Sequence, residues 1–222
     1  MLLRITKPLL DIIAPHTCAG CDVEGALVCE MCISVIEWQE SKCYICSTAT
    51  VDYQTCVSCN RSSNIKKAMI LAGYDDPIIK DLVYQMKFNN NQEVAEFFGK
   101  QLAQMFGGHL KDCVVTHLPT ATTRIRSRGY DQSALIARKL AKTLGLEYRD
   151  TLVRLDQSRQ LGRTKDDRNR GNLQYRGIRN VKGEIIVLVD DVITTGFSMK
   201  KASLELSRHG AKEIIGLAVA RV

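Results

Sequence analysis

Four Cys-x-x-Cys pairs before residue 60 constrain this 222-residue chain more than any other feature of its sequence. The pairs are Cys18/Cys21, Cys29/Cys32, Cys43/Cys46 and Cys56/Cys59. Two thiolates three positions apart can reach one metal ion on a tight turn, and two such pairs complete a tetrahedron. Four pairs in succession therefore predict two structural Zn²⁺ sites, each closed by four cysteines.

The sequence leaves the grouping of the pairs open. Sequential grouping, with two pairs for each ion, is the simplest, and an interleaved arrangement is an alternative. Disulfides compete with zinc, but nothing in the sequence indicates export to an oxidising compartment. A dithiol redox role also competes, although redox motifs usually occur as a single pair. The ninth cysteine, Cys113, begins an apolar run, which predicts a buried structural thiol.

The cysteines stop at a polar stretch near residues 61–67, which predicts a domain boundary. We expect residues 1–64 to form a small metal-dependent module with an N-terminal helix, and residues 65–222 to form the main domain. In the helix, Leu9, Ile12 and Ile13 recur at helical spacing, so it either packs on the body or lies on a membrane surface. No apolar run approaches the roughly 20 residues of a bilayer span, and a cytoplasmic protein is expected.

The main domain alternates apolar strands with amphipathic helices. The sequence predicts strands at 68–73, 114–118, 184–189 and 213–220, and helices near 78–86, 94–106, 131–144 and 199–208. This order indicates an α/β fold, a parallel sheet with helices on its faces. Ligands of such sheets bind at the carboxyl ends of the strands.

An acid pair, Asp190 and Asp191, ends the most apolar of these strands, and Thr194-Thr195-Gly196 follows. Adjacent carboxylates repel each other, so the pair needs hydroxyls, a cation or basic groups nearby. A ribose with two free hydroxyls, accompanied by Mg²⁺, supplies such partners. The Thr-Thr-Gly turn and the start of the next helix direct hydroxyls and backbone N–H groups into one concavity, which predicts a phosphate cradle.

The formal net charge of +7 is concentrated in one segment of the chain. Between Arg154 and Lys182, nine Lys or Arg residues are opposed by only three acids. Such a cluster favours an anionic partner, either phosphate, pyrophosphate or nucleic acid, over a solvated loop with no ligand. The sequence lacks the glycine-rich motifs of dinucleotide-binding and ATP-binding loops, which disfavours those ligands.

Residues 187–196, Val-Leu-Val-Asp-Asp-Val-Ile-Thr-Thr-Gly, resemble the phosphoribosyl pyrophosphate (PRPP) signature of type I phosphoribosyltransferases. Four Cys-x-x-Cys pairs before such a domain resemble the bacterial ComF/GntX family. The dipeptide Lys87-Phe88 and the run Arg128-Gly129-Tyr130-Asp131-Gln132 are also similar to that family. Asp131 stands where the family pattern has Asn.

The resemblance implies a type I phosphoribosyltransferase-like sheet preceded by a double zinc ribbon, and PRPP bound with Mg²⁺. The implied PRPP-binding residues, of which the first two are also catalytic, are Asp190, Asp191, Val192, Ile193, Thr194, Thr195, Gly196, Phe197 and Ser198. The implied pyrophosphate and basic-loop residues are Arg124, Arg126, Arg128, Arg163, Lys165, Arg168 and Arg170.

The resemblance further implies transfer of a phosphoribosyl group to a nitrogen acceptor. It also implies a link to natural transformation, in which imported single-stranded DNA is handled in the cytoplasm. Two alternatives remain on the same fold: a non-catalytic protein that handles single-stranded nucleic acid, and a PRPP sensor. The basic segment supplies charge for a phosphate backbone but little stacking, since Tyr175 is its only aromatic residue.

Overall fold

A computed structural model describes residues 16–155 and 173–222 of the chain. Two predicted features lie outside these ranges. One is the N-terminal helix with Leu9, Ile12 and Ile13. The other is the part of the basic segment that contains Arg163, Lys165, Arg168 and Arg170. None of the helices within the two ranges combines the length and the apolar character needed to cross a membrane.

The described ranges contain seven strands and seven α-helices. The strands are β1 Lys67–Gly73, β2 Cys113–His117, β3 Glu147–Tyr148, β4 Leu152–Leu155, β5 Gln174–Gly177, β6 Ile185–Ile193 and β7 Glu213–Arg221. The helices are α1 Glu30–Val35, α2 Val57–Asn60, α3 Pro77–Phe88, α4 Gln92–Phe106, α5 Thr122–Arg128, α6 Gln132–Leu144 and α7 Phe197–Arg208. A short 3-10 helix at Gly107–His109 follows α4.

Five of the strands form one parallel sheet in the order β1-β7-β6-β2-β3. Strand β6 lies at its centre, where Val189 is opposite His117 of β2 on one side and Leu217 of β7 on the other. Parallel neighbours must be joined by crossover connections, and these place helices on both faces of the sheet. The predicted parallel sheet with flanking helices is confirmed.

Each face of the sheet has its own apolar core. On one face, α3, α4 and α6 cover the strands, and Phe98, Phe106 and Ile136 are fully buried there. On the other face, α7 and an antiparallel ribbon of β4 and β5 cover residues such as Leu188. Because both faces are covered, β6 and β7 are apolar almost without interruption, as buried parallel strands require.

Strand β6 continues beyond its predicted end at Val189. Strand β7 runs on to Arg221, and the two remain paired with Val192 opposite Ala220 and Ile193 opposite Arg221. The strand predicted at 184–189 therefore extends four residues further at its carboxyl end, and the acid pair that was expected to end it lies inside it. Both carboxylates belong to the paired part of β6, so their backbone is held on a rigid ladder.

The cysteine-rich region packs on the edge of the sheet rather than apart from it. Isolated antiparallel bridges join Trp38 to Ala72 and Gln54 to Lys67, so the region follows β1. Its first cysteine pairs contribute buried residues to the core under α3 and α4. Tyr44, from the third pair, enters the core on the other face. The region thus contacts both faces of the sheet.

We predict that Phe98→Ala lowers the free energy of unfolding by about 3–5 kcal/mol, because it leaves a cavity in the core between α4 and the sheet. The neighbouring Phe97 is only partly buried against the same core, so Phe97→Ala should cost less. Urea denaturation of both variants measures the difference. Equal losses would contradict the assignment of Phe98 to the core.

Candidate functional site

A cavity of about 450 Å³ opens at the carboxyl edge of the sheet, at the end of β6. Its acids are Asp190 and Asp191, and Thr194 and Ser198 add hydroxyls from the loop that leads into α7. Four cations from three separate parts of the chain complete the charged lining: Lys87, Arg124, Arg128 and Arg154. Ligands of open parallel sheets bind at this edge.

Two other cavities lack this combination of groups. One of about 750 Å³ lies between the end of β1 and the cysteine-rich region. Its charged lining consists of one lysine and four acids, Glu37, Glu40, Asp75 and Asp76. Those carboxylates repel a phosphate. Another of about 560 Å³, near the amino ends of β6 and β7, has cationic residues but no acid. The cavity at the end of β6 therefore differs from these two in its chemistry, because it alone of the three combines acids, hydroxyls and several cations.

The two acids of the pair differ in their surroundings. Asp190 is only 9% exposed, and its Oδ1 accepts hydrogen bonds from the Ser133 hydroxyl at 3.3 Å and from the Asp191 backbone N–H at 2.8 Å. Burial, and then repulsion by Asp191, raise the pKa of Asp190 well above that of an ordinary carboxyl group. Asp191 instead forms a salt bridge with Lys87, whose Nζ lies 2.9 Å from its Oδ2.

Five of the nine predicted PRPP-binding residues line the cavity: Asp190, Asp191, Val192, Thr194 and Ser198. The other four do not: Ile193 and Gly196 are buried, and Thr195 and Phe197 are exposed. Gly196 has a φ of 71° and precedes the first residue of α7. Only glycine adopts this left-handed conformation at little cost, so it allows the chain to turn sharply from β6 into the helix.

Asp131 organises the loop that follows β2. Its carboxylate accepts hydrogen bonds from the Thr120 backbone N–H at 2.8 Å and from the Thr120 hydroxyl at 3.2 Å, and it caps α6 through the Ala134 N–H. His117 Nε2 lies 3.8 Å from the same carboxylate. Burial lowers the pKa of His117, although Asp131 and Asp150 oppose that effect. Asp131 therefore holds Thr120 in the wall of the cavity by accepting hydrogen bonds.

Of the three arginines predicted on the segment after β2, two line the cavity and one does not. Arg124 and Arg128 line the cavity, whereas Arg126, on the same short helix α5, is exposed and outside its lining. Helix α5 ends at Gly129, whose φ of 83° reverses the chain toward α6. Because Arg124 and Arg128 are four residues apart, they lie on the same side of α5, and this side faces the cavity.

Two residues that line the cavity, Lys87 and Tyr175, were not assigned to the site from the sequence. Lys87 reaches it because the Tyr130 hydroxyl donates to the Met86 carbonyl and so holds the end of α3 beside β6. Burial raises the pKa of Tyr175 to about 12, and Ser198 is its polar neighbour. In the described part of the chain, the Tyr175 hydroxyl and Gln132 Nε2 are buried without a hydrogen-bond partner. Such groups favour a polar ligand.

The cysteines form two clusters with sequential grouping: Cys18, Cys21, Cys29 and Cys32, and Cys43, Cys46, Cys56 and Cys59. In each cluster all sulfur atoms lie within 4.8 Å of one another. The Cys21–Cys29 and Cys46–Cys56 Sγ distances are 3.7 and 3.6 Å. A Zn–S bond of about 2.3 Å gives a tetrahedron with an edge of about 3.8 Å. Both clusters therefore fit a four-coordinate zinc ion.

We predict that Asp190→Asn raises the urea midpoint of the unliganded protein at pH 8, because it removes a buried carboxyl that resists ionisation. The pKa of Asp190 in the folded state lies above the unfolded value of about 3.9, so the wild type gains stability as the pH falls through that interval. The advantage of the variant should therefore shrink toward pH 4.

The matched variant for this test is Asp191→Asn, which loses the salt bridge to Lys87 and should bring no such gain. Urea denaturation between pH 4 and 8 measures all three proteins. A lower midpoint for Asp190→Asn than for the wild type at pH 8 would contradict the assignment of Asp190 as the desolvated member of the pair.

The chain is similar to known proteins over most of its length. Residues 130–221 match the phosphoribosyl transferase domain. The DNA utilization protein YhgH of Salmonella typhimurium is 26% identical over 219 residues, which cover 90% of this chain and 94% of that protein. Competence protein F of Haemophilus influenzae is 24% identical over 223 residues, which cover 92% of this chain and 90% of that protein.

Among solved structures, the Bacillus subtilis glutamine PRPP amidotransferase, complexed with ADP and GMP, is 24% identical over 57% of this chain, with a TM-score of 0.42. The matched part spans about a quarter of that protein, 26% of its chain. A TM-score of this size indicates only a distant likeness. The relatives matched along nearly their full length, the domain match and the two cysteine clusters together confirm the resemblance. The chain resembles the ComF/GntX family along nearly its whole length, and its residues 130–221 match the phosphoribosyl transferase domain.

Proposed function

We propose that the cavity at the end of β6 binds PRPP with Mg²⁺ and that the protein transfers the phosphoribosyl group to a nitrogen acceptor. The observation that carries this proposal is the convergence of two acids, the hydroxyls of Thr194 and Ser198, and four cations on one cavity of about 450 Å³. PRPP offers matching chemistry, with two ribose hydroxyls, a 5′-phosphate and a pyrophosphate. The match to the phosphoribosyl transferase domain supports the same ligand.

In this proposal each group of the substrate has its own partners. Thr194, Ser198 and the N-terminal backbone of α7 bind the 5′-phosphate, because the two hydroxyl residues line the cavity and the first turn of a helix leaves N–H groups without partners inside the helix. Asp190 and Asp191 accept hydrogen bonds from the ribose hydroxyls. The pyrophosphate lies beside the loop that Asp131 holds, near the two arginines of α5. Oxygen-rich groups of this kind also suit Mg²⁺, which neutralises phosphate charge when it is bound.

The transfer step breaks the bond between the anomeric carbon and the pyrophosphate oxygen and forms a bond from that carbon to the acceptor nitrogen. Pyrophosphate leaves with the electron pair, and the acceptor nitrogen loses a proton. Positive groups at the leaving oxygen lower the barrier because they stabilise charge that develops as the bond loosens. Arg124 and Arg128 serve this purpose in the described part of the site.

We also propose that each cysteine cluster holds one structural zinc ion. All four ligands of such a site come from the chain, which leaves no position for a substrate. Backbone N–H groups of Gly20 and Cys29 donate to Cys18 Sγ at 3.4 and 3.3 Å, and hydrogen bonds of this kind favour the thiolate that zinc requires. The ions stabilise the region that packs against β1.

We predict that PRPP with Mg²⁺ binds the wild type in calorimetric titration, and that the double variant Asp190→Asn/Asp191→Asn binds at least about 100-fold more weakly. Each charged hydrogen bond contributes about 1.5–3 kcal/mol, so the loss of two accounts for that factor. The control is Glu37→Gln/Glu40→Gln in the acidic cavity, which should bind normally. Absence of binding to the wild type at millimolar PRPP would overturn the proposal.

A screen of bases and amines for pyrophosphate release separates an enzyme from a sensor. Under the transferase proposal, at least one nitrogen compound releases pyrophosphate, and the double aspartate variant does not. If PRPP binds but no class of acceptor causes release of pyrophosphate, the protein is a PRPP sensor rather than an enzyme.

An exposed aromatic pair favours a second candidate function, the handling of single-stranded DNA. Tyr84 and Phe88, on the outer side of α3, are 53% and 64% exposed, and their ring centroids are 4.9 Å apart. The Arg128 guanidinium lies 5.6 Å from the centre of the Phe88 ring. Bases stack on aromatic rings while cations contact the phosphates. The names of the relatives, DNA utilization and competence proteins, agree with this candidate.

We predict that Tyr84→Ala/Phe88→Ala weakens binding of a single-stranded oligonucleotide about 10- to 100-fold, because stacking contributes about 1–3 kcal/mol per base. The salt dependence of binding should not change, since no charge is lost. Fluorescence anisotropy at several salt concentrations measures both quantities. Val51→Ala, at an exposed position in the cysteine-rich region, is the control. Wild-type affinity of the aromatic variant would exclude this surface.

A further inference from the structure

The turn between Cys43 and Cys46 lies directly against the predicted phosphate loop. A Cβ atom placed on Gly196 would come within 3.0 Å of Cε2 and 3.3 Å of Cδ2 in the Tyr44 ring. The ring itself is fully buried, and the Tyr44 hydroxyl forms a hydrogen bond of 2.5 Å with the Ser63 hydroxyl. Tyr44 is therefore a fixed wall behind the glycine that allows the loop to turn.

Arg221 connects the same turn to the strands that carry the site. Its guanidinium donates to the carbonyl of Tyr44, to the carbonyl of Ile45 at 2.8 Å and to the hydroxyl of Ser47 at 2.8 Å. Arg221 ends β7 opposite Ile193, the last residue of β6 before the loop. The cysteine turn, the end of β7 and the start of the loop thus form one connected unit.

We propose that the cluster of Cys43, Cys46, Cys56 and Cys59 is a positioning element for the phosphate loop, so that its metal occupancy sets the affinity for PRPP. The proposal rests on the proposed function of that loop. A metal ion draws the four sulfur atoms to one centre and thereby fixes the turn that carries Tyr44. Without the ion the turn is less constrained, and Gly196 samples conformations that do not bind phosphate. The apparent dissociation constant then rises as the competent fraction falls.

The other cluster provides an internal comparison because it packs elsewhere. A Cβ atom placed on Gly20, between Cys18 and Cys21, would lie 3.0 Å from Ile78 Cδ1. Ile78 belongs to the first turn of α3, and Lys87 reaches the site from the last turn of the same helix. Nine residues of helix separate them by about 13 Å. The first cluster therefore supports the helix at the end remote from the cavity.

The decisive experiment compares Cys46→Ser with Cys21→Ser. Both cysteines are exposed, and each is the second member of the first pair in its cluster. Metal analysis should show loss of about one zinc per chain in either variant. Calorimetric titration with PRPP and Mg²⁺ should show about tenfold weaker binding for Cys46→Ser, if one-tenth of the loops stay competent. Cys21→Ser should bind like the wild type.

Two variants of Tyr44 test the contact without removing a metal ligand. Tyr44→Leu removes the ring behind Gly196 and should weaken PRPP binding while the zinc content is unchanged. Tyr44→Phe keeps the ring and loses only the hydrogen bond to Ser63, so it should bind nearly as well as the wild type. Thermal denaturation shows whether each variant is folded under the conditions of the titration.

The outcomes distinguish this inference from the function on which it rests. If the zinc-loaded wild type does not bind PRPP, the proposed function fails. If the wild type binds and both Cys46→Ser and Tyr44→Leu bind equally well, only the positioning role is overturned. If Cys21→Ser and Cys46→Ser weaken binding to the same extent, the effect is a general loss of structure, and the selective role of the second cluster is rejected.

Discussion

The pairing of β6 with neighbours on both sides is the constraint on which the rest of the structure depends. Strand β2 fixes one side of β6 and β7 the other, so the register places Asp190 and Asp191 at the carboxyl edge with almost no freedom. The same pairing buries Asp190, and burial raises its pKa. Asp190 is therefore a desolvated acid. Hydroxyl groups that donate hydrogen bonds to it, or cations placed near it, would stabilise its charged form.

Two residues in the wall of the cavity, Lys87 and Thr120, are held in place by separate hydrogen bonds. Lys87 depends on the end of α3, which the Tyr130 hydroxyl fixes through the Met86 carbonyl. Thr120 depends on Asp131, whose two carboxylate oxygens both accept hydrogen bonds from it. An Asn at that position, as in the family pattern, has only one acceptor oxygen. The carboxylate therefore holds the loop through two acceptors at once, and the nearby His117 is a further polar neighbour.

Local patterns in the sequence predicted the main strands and helices, the acid pair and the cysteine ligands, because burial and metal spacing act over short segments. The β4–β5 ribbon was not predicted. Its strands are four residues long and pair across an intervening polar stretch, so the stabilising contact is non-local. Tyr175 belongs to that ribbon, which explains why its place in the cavity was missed. The salt bridge between Lys87 and Asp191 was also not predicted, because the two residues are far apart in the sequence.

Two independent constraints favour glycine at position 196. Its φ of 71° disfavours any side chain whatever the surrounding space. The Tyr44 ring, 3.0 Å from a virtual Cβ, would also crowd a side chain at this position even if the backbone were relaxed. The first constraint comes from the tight turn between β6 and α7, and the second comes from a turn between two cysteines more than 140 residues earlier in the chain. The glycine of the signature is therefore also one of the points at which the cysteine-rich region meets the sheet, so the geometry of the loop depends on both parts of the chain.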